Sequence, residues 1–212
     1  MTADRTPRTR EDRLGALLGD LLDDLATESL SPAASSVTAM SVAFAAALTA
    51  KSARRSAPEM ESAAAAAAQA DSLRRRALAL ASLNAEAYER AIAMLSSPAG
   101  GEEPGAREGG TQGRDLEIRD ALAKTSNALS SLIEVACDVC VLADLVAEQG
   151  KPGAQADAAV AATQAEAGAR AAMELIEINL LSDQLEDAKR QARDALATAS
   201  EATEQALAAA AL

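Results

Sequence analysis

Few side chains in this sequence can do chemistry, and they recur at helical spacing. Asp157 opens a stripe that continues through Val160, Gln164, Ala167, Ala171, Leu175 and Ile178, the three-to-four-residue repeat of one helix face. A second stripe reads Leu73, Ala77, Leu80, Asn84, Tyr88, Ala91 and Leu95. It sets an amide and a phenol among apolar neighbours. A buried polar group must find partners or lose about 1–3 kcal/mol, more when it is charged. Asp157 therefore reads as a first-turn carboxylate favoured by the helix dipole, or as an acid/base or cation-stabilising group. Asn84 reads as an interhelical amide that fixes register or as a group that orients a substrate, with Tyr88 one turn on as a possible proton donor. Glu86 points away from that stripe, toward solvent. The chain has no histidine, so no Ser-His or Cys-His nucleophile can be assembled, and carboxylate, amine, phenol or water must carry any proton transfer.

Hydroxyls and cations supply the remaining candidates. In "SPAASSVTAM", residues 31–40, Ser31 suits an N-cap and Pro32 the first helical position. Ser35 and Ser36 then lie where a helix start can meet a ligand. Lys51, Arg54 and Arg55 form a basic cluster suited to a helix C-terminus or to the rim of an anion site. Lys151 and Gln155 flank the "GKPGAQ" break before Asp157 and join Ser35, Ser36, Lys51 and Asn179 as candidate substrate contacts. Cys137 and Cys140 are spaced as a redox pair, but no alternation of strand and helix surrounds them, so they read as core thiols. A zinc site would need two further ligands, and the absence of histidine removes the usual source. No metal site is expected.

The elements that hold these residues are helices. Alanine supplies 57 of 212 residues, with one Phe, one Tyr and no Trp. Alanine is the strongest helix former and lets helix axes approach closely. The spacing predicts an all-α, antiparallel up-and-down bundle of about six helices. The first carries Leu14, Leu17, Leu18, Leu21, Leu22 and Leu25. The second starts at Ser31, with Val37, Met40, Phe44 and Leu48 inward. The third runs over 58–97, the fourth over 114–149, the fifth over 154–180, and the last over 183–211, with a frayed end at 208–211. Residues 1–8 read as a disordered tail, 9–212 as one domain, and the Gly- and Pro-rich stretch at 98–113 as a flexible loop.

The net charge is −12 with a pI near 4.5, which argues against nucleic acid or an anionic membrane as partner. The apolar run at 37–50 is too short to span a bilayer, and the charged start shows no signal peptide. A cytoplasmic protein is expected. Sixteen Arg against four Lys, with so much Ala, suggests a GC-rich bacterial genome.

Three separated stretches, "SPAASSVTAM", "LNAEAYERAIAML" and "AEQGKPGAQADAAVAA…EINL", carry a family resemblance over about 12–205. In order and spacing they resemble the cyclodeaminase/cyclohydrolase family, which includes the C-terminal domain of formiminotransferase-cyclodeaminase and bacterial methenyltetrahydrofolate cyclohydrolases. The resemblance implies an all-helical homodimer. It implies an enzyme that closes a methenyl bridge on tetrahydrofolate with loss of ammonia, or opens that bridge with water, without metal or cofactor.

The polar letters depart from the family pattern. The usual Thr-Pro-Gly-Gly-Gly-Ser-Val keeps Ser31, Pro32, Ser36 and Val37 here, but Ala33, Ala34 and Ser35 replace the glycines. Each added Cβ fills space that glycine leaves to a ligand. The family's proton-transferring Asp is Asn84, which cannot exchange a proton near neutral pH. In the third motif Gly150 and Asp157 match, while Lys151, Gly153 and Ala156 replace Asn, Asn and Ser. Asn179 and Leu180 match the closing pattern, and Leu175 replaces its first Asn.

These departures lead to the expectation of a repurposed enzyme: ring closure, ring opening or imine chemistry at a C–N bond of a non-folate small molecule, with weak or absent turnover of methenyltetrahydrofolate. The alternatives are a genuine folate cyclohydrolase or cyclodeaminase, with tetrahydrofolate as substrate, and a non-catalytic helical assembly protein.

Overall fold

The computed structural model describes residues 10–28, 34–96, 107–179 and 186–211. These form six helices: α1 (Arg10–Leu25), α2 (Ala34–Arg55), α3 (Ala63–Ser96), α4 (Arg107–Gln149), α5 (Gln155–Asn179) and α6 (Glu186–Ala210). No strand occurs among the described residues. The chain divides into two units, 1–33 and 34–212. The first contributes α1, in which Leu18 and Leu22 are exposed and Leu21 and Leu25 are half-buried. The second holds α2 to α6.

Side-chain bonds fix the directions of the helices in the second unit. Met94 meets Arg114 across α3 and α4, and Arg76 meets Glu134 further along the same pair. Arg170 meets Ser200, and Arg193 meets Glu177, across α5 and α6. Low numbers pair with high ones each time, so these neighbours are antiparallel. The same holds for α2 and α5, where Arg55 bonds Asp157 and a Cβ on Gly168 would lie 2.6 Å from Val42. Gly168 is thus a point of close helix approach.

The core is built from small side chains. Ala39, Ala46, Ala53, Ala70, Ala77, Ala162, Ala165 and Ala169 are all buried, around a few larger groups such as Val42, Leu129, Ile133 and Ile176. Thin side chains bury area only when helix axes come close, and close axes leave little room for bulk.

This packing overturns the expected inward stripes of α2 and α5. Val37 and Phe44 are exposed, Phe44 at 58%, and so are Val160 and Ile178. Gln164 and Ala167 are also exposed, while Met40 and Leu48 are half-buried. The alanine faces turn inward instead. The stripe of α3 also ends sooner than expected, because Leu95 is exposed.

Several boundaries shift as well. Arg107–Gly113, expected as loop, are the first turns of α4. Glycine costs a helix only about 1 kcal/mol per residue. The helix α6 continues to Ala210 rather than fraying from 208. At 22 residues, α2 is long and apolar enough to cross a membrane by length and composition, more than the 37–50 run suggests. Yet 56% of its apolar window is buried inside the protein. The expected tail at 1–8, the part of the expected 98–113 loop that precedes Arg107, and Ser31 and Pro32 lie outside the described residues.

Candidate functional site

The start of α5 meets the end of α2. After Gln149 the chain turns through Gly153, at φ +84°, a left-handed conformation that favours glycine. Ala154 N–H donates to Lys151 O at 2.8 Å. Gly150 is required by space: a Cβ there would lie 2.2 Å from Val146 O and 2.8 Å from Ser56 Oγ. The buried Ser56 ties this turn to α2. It accepts from Lys151 N–H at 3.0 Å and donates to Ser52 O at 2.9 Å. The role of Lys151 in this turn is thus carried by its backbone, and its side chain is exposed.

The stitched turn aims the first turn of α5 at the last turn of α2. Lys51 Nζ lies 2.9 Å and Arg55 Nη1 3.1 Å from Asp157 Oδ2. A hydrogen bond from Lys51, supported by the charges of Lys51 and Arg55, outweighs desolvation and holds the Asp157 carboxyl below its usual range. The positive end of the α5 dipole acts in the same sense. Asp157 stays ionised at neutral pH. It can stabilise a cation or accept a hydrogen bond, but it has no proton to donate. Gln155 is half-buried beside it in the chain. Arg54 pairs instead with Asp71 of α3.

A second group of positions lies elsewhere. Ser35 is buried and Ser36 half-buried at the start of α2. Asn84 is only 4% exposed, and no donor meets its Oδ1. Tyr88, one turn on, is half-buried. A cleft of about 360 Å³ opens between α3 and α4 beside this stretch, lined by Leu80, Leu83, Glu86, Ala87, Arg90 and Lys124 among others. Asn179 closes α5, and its side chain lies outside the described residues.

One chain does not bring the two groups together. Ser35 and Arg55 sit on the same helix, about 30 Å apart at a rise of 1.5 Å per residue. Asn84 follows Asp71, the partner of Arg54, by about 20 Å along α3. Sequence reasoning missed Ser56 altogether and treated Arg55 only as part of a basic cluster. A serine directly after the basic end of a helix was the available signal for Ser56.

The cysteines are free thiols. Cys140 is fully buried and donates to Ala162 O at 3.4 Å. Burial pushes it up to about 12, which leaves it inert as a nucleophile. Cys137 is half-buried and also raised, first by desolvation and then by Asp138. Among the described residues, no three His, Cys, Asp or Glu side chains gather as metal ligands would.

The helices α2 to α6 thus form an alanine-cored bundle with an ion-paired carboxylate at the head of α5. The family model described as formiminotransferase-cyclodeaminase matches residues 17–208, and the chain belongs to that family. Its fold is similar to that of formiminotetrahydrofolate cyclodeaminase from Thermotoga maritima. The TM-score is 0.78 at 18% identity, over 91% of this chain and 94% of that one. No curated protein matches the chain by sequence.

Proposed function

We propose that the protein acts on a one-carbon unit carried by tetrahydrofolate, closing a C–N ring with loss of ammonia. The family match over 17–208 carries this reading, and the similar fold of a formiminotetrahydrofolate cyclodeaminase supports it. It takes precedence over the non-folate substrate expected from the altered motifs, because those motifs show loss of particular letters and not gain of another ligand.

In such a closure one folate nitrogen attacks the formimino carbon. Ammonia leaves, and a methenyl cation remains. The ionised Asp157, oriented by Lys51 and Arg55, suits the stabilisation of that cation. The departing nitrogen takes up two protons, one given up by the attacking folate N–H and one from water, since Asn84 cannot supply it and Tyr88 lies with the other group of positions, about 25 Å along α3 from Asp71.

The test is ammonia release and methenyl absorbance on adding formiminotetrahydrofolate. A turnover of roughly 1–1000 per second is expected. A folded protein that leaves this substrate unchanged overturns the proposal. It would favour the second reading, a non-folate C–N substrate, which rests on the buried and neutral Asn84.

A further inference from the structure

The groove between α3 and α4 holds a cleft of about 360 Å³ that the folate reading leaves unused. Its size falls within the range of about 300–1,000 Å³ that small-molecule sites occupy. Leu80, Leu83, Ala87 and Ala128 give it an apolar lining, and Leu83 is 58% exposed. An apolar group laid on this wall removes it from water and is stabilised by burial. The cleft is remote from the Asp157 end. Arg90 follows Asp71, the partner of Arg54, by about 28 Å along α3.

Three charged side chains line the cleft, Glu86 and Arg90 of α3 and Lys124 of α4. Lys124 is answered by Asp120, one turn back on its own helix. Glu86 and Arg90 stand four residues apart with the glutamate first, the favoured order for an ion pair along a helix. Yet neither forms an ion pair or a hydrogen bond with any described residue.

An unmatched anion and an unmatched cation one turn apart select a ligand that carries both signs close together. Side chains at this spacing leave the backbone about 5–6 Å apart at Cβ. An α-amino acid bears its ammonium and its carboxylate on a single carbon, so it can reach both. Its ammonium donates to the Glu86 carboxylate, and its carboxylate accepts from the guanidinium of Arg90. A ligand of one sign would leave the other protein charge desolvated without a partner, which selects against it. Leu80, Leu83 and Ala128 require the ligand's own side chain to be apolar.

We propose that the α3/α4 cleft binds a zwitterionic α-amino acid with an apolar side chain, its ammonium on Glu86 and its carboxylate on Arg90. This binding does not depend on the folate reading, which concerns the Asp157 end.

Calorimetric titration of the full chain with L-phenylalanine tests this, with circular dichroism as the control for folding. One site per chain is expected, with a Kd of about 1 mM or tighter. Glu86 and Arg90 are both exposed, so Glu86→Gln and Arg90→Gln should keep full helicity and each weaken binding about tenfold or more. Phenylpropionate, which lacks the ammonium, should bind the wild type about tenfold more weakly or worse, and Glu86→Gln should not weaken it further. Phe44→Asp, on the exposed α2/α5 face, should leave L-phenylalanine binding unchanged. A wild type that binds no L-phenylalanine at about 10 mM overturns the proposal. So does phenylpropionate bound as tightly as L-phenylalanine, because an anion alone would then suffice. Unchanged affinity in Glu86→Gln or Arg90→Gln overturns it too, as does loss of binding in Phe44→Asp, which would place the ligand between α2 and α5.

Discussion

Asp157 and Asn84 occupy positions where the family pattern carries an Asp, yet their surroundings differ in kind. Asp157 is partly exposed on a helix start and answered by two cations within about 3 Å. Asn84 is buried, neutral and without a donor to its Oδ1. An exposed carboxylate keeps its charge cheaply, because water and paired cations share it. A buried one must be compensated or protonated. The comparison shows that losing a carboxyl at position 84 removes a desolvation cost along with a proton carrier. Keeping it at 157 costs little and retains a fixed negative charge.

The largest expected effect separates chemistry from structure at Asp157. Asp157→Asn should lower turnover by roughly 100-fold or more. Its effect on stability should be within about 0–1 kcal/mol, because the ion pairs are solvent-exposed. The measurement is a rate beside a melting curve. Full activity in the variant would reduce Asp157 to a helix-start residue.

Next in size is the converse change at the buried position. Asn84→Asp should raise folate turnover about tenfold or more by restoring a proton carrier, and should lower stability by about 1–3 kcal/mol at pH 7. The sign with pH follows from burial. A desolvated carboxyl titrates higher in the folded state than the usual value near 4, so the folded state holds the proton longer. The penalty should vanish below about pH 4 and grow as pH rises. Denaturation curves at pH 4 and pH 7 check this, and a variant equally stable at both would show that position 84 is wetter than the packing indicates.

A third variant probes how the Asp157 end is held. Gly150→Ala places a methyl against Val146 O and Ser56 Oγ and should cost about 1–3 kcal/mol. The Asp157 end then shifts with the turn, so turnover should fall as well, while a variant at the Asn84 end would leave the turn untouched.

The smallest effect concerns Asp144, whose buried Oδ1 has no partner. Desolvation, then the charge of Glu148, raises its carboxyl above the usual range. A raised carboxyl opposes folding once pH exceeds its unfolded value. Asp144→Asn should therefore add a few tenths of a kcal/mol at pH 7 and nothing below about pH 4. A variant that melts lower at pH 7 would reveal an acceptor role for Asp144.

Much was legible before any coordinates. The alanine content, the leucine spacing and the Gly and Pro breaks give six helices with boundaries close to those observed. Such signals are local: helix propensity and chain breaks act within a few residues. The ordered motifs also pointed to the family, and the match over 17–208 agrees. The basic end of α2 and the acidic start of α5 were each visible, although nothing along the chain announced that Lys51 and Arg55 would grip Asp157.

Tertiary structure alone decided which face of α2 and α5 is core. Periodicity marks two faces, and hydrophobicity favours the one with Val37, Phe44, Val160 and Ile178. Yet close packing at Gly168 and Val42 selects the alanine face, because dispersion gains come from axes brought near each other. Tertiary structure alone also decided the grouping of the polar residues. A linear motif records order but not level along a bundle, and helix length sets Ser35 and Asp157 at opposite ends. The sequence by itself thus determined the helices, the charges and the family. The alanine-led approach of the helices decided which apolar face stays outward and which candidate residues share a site.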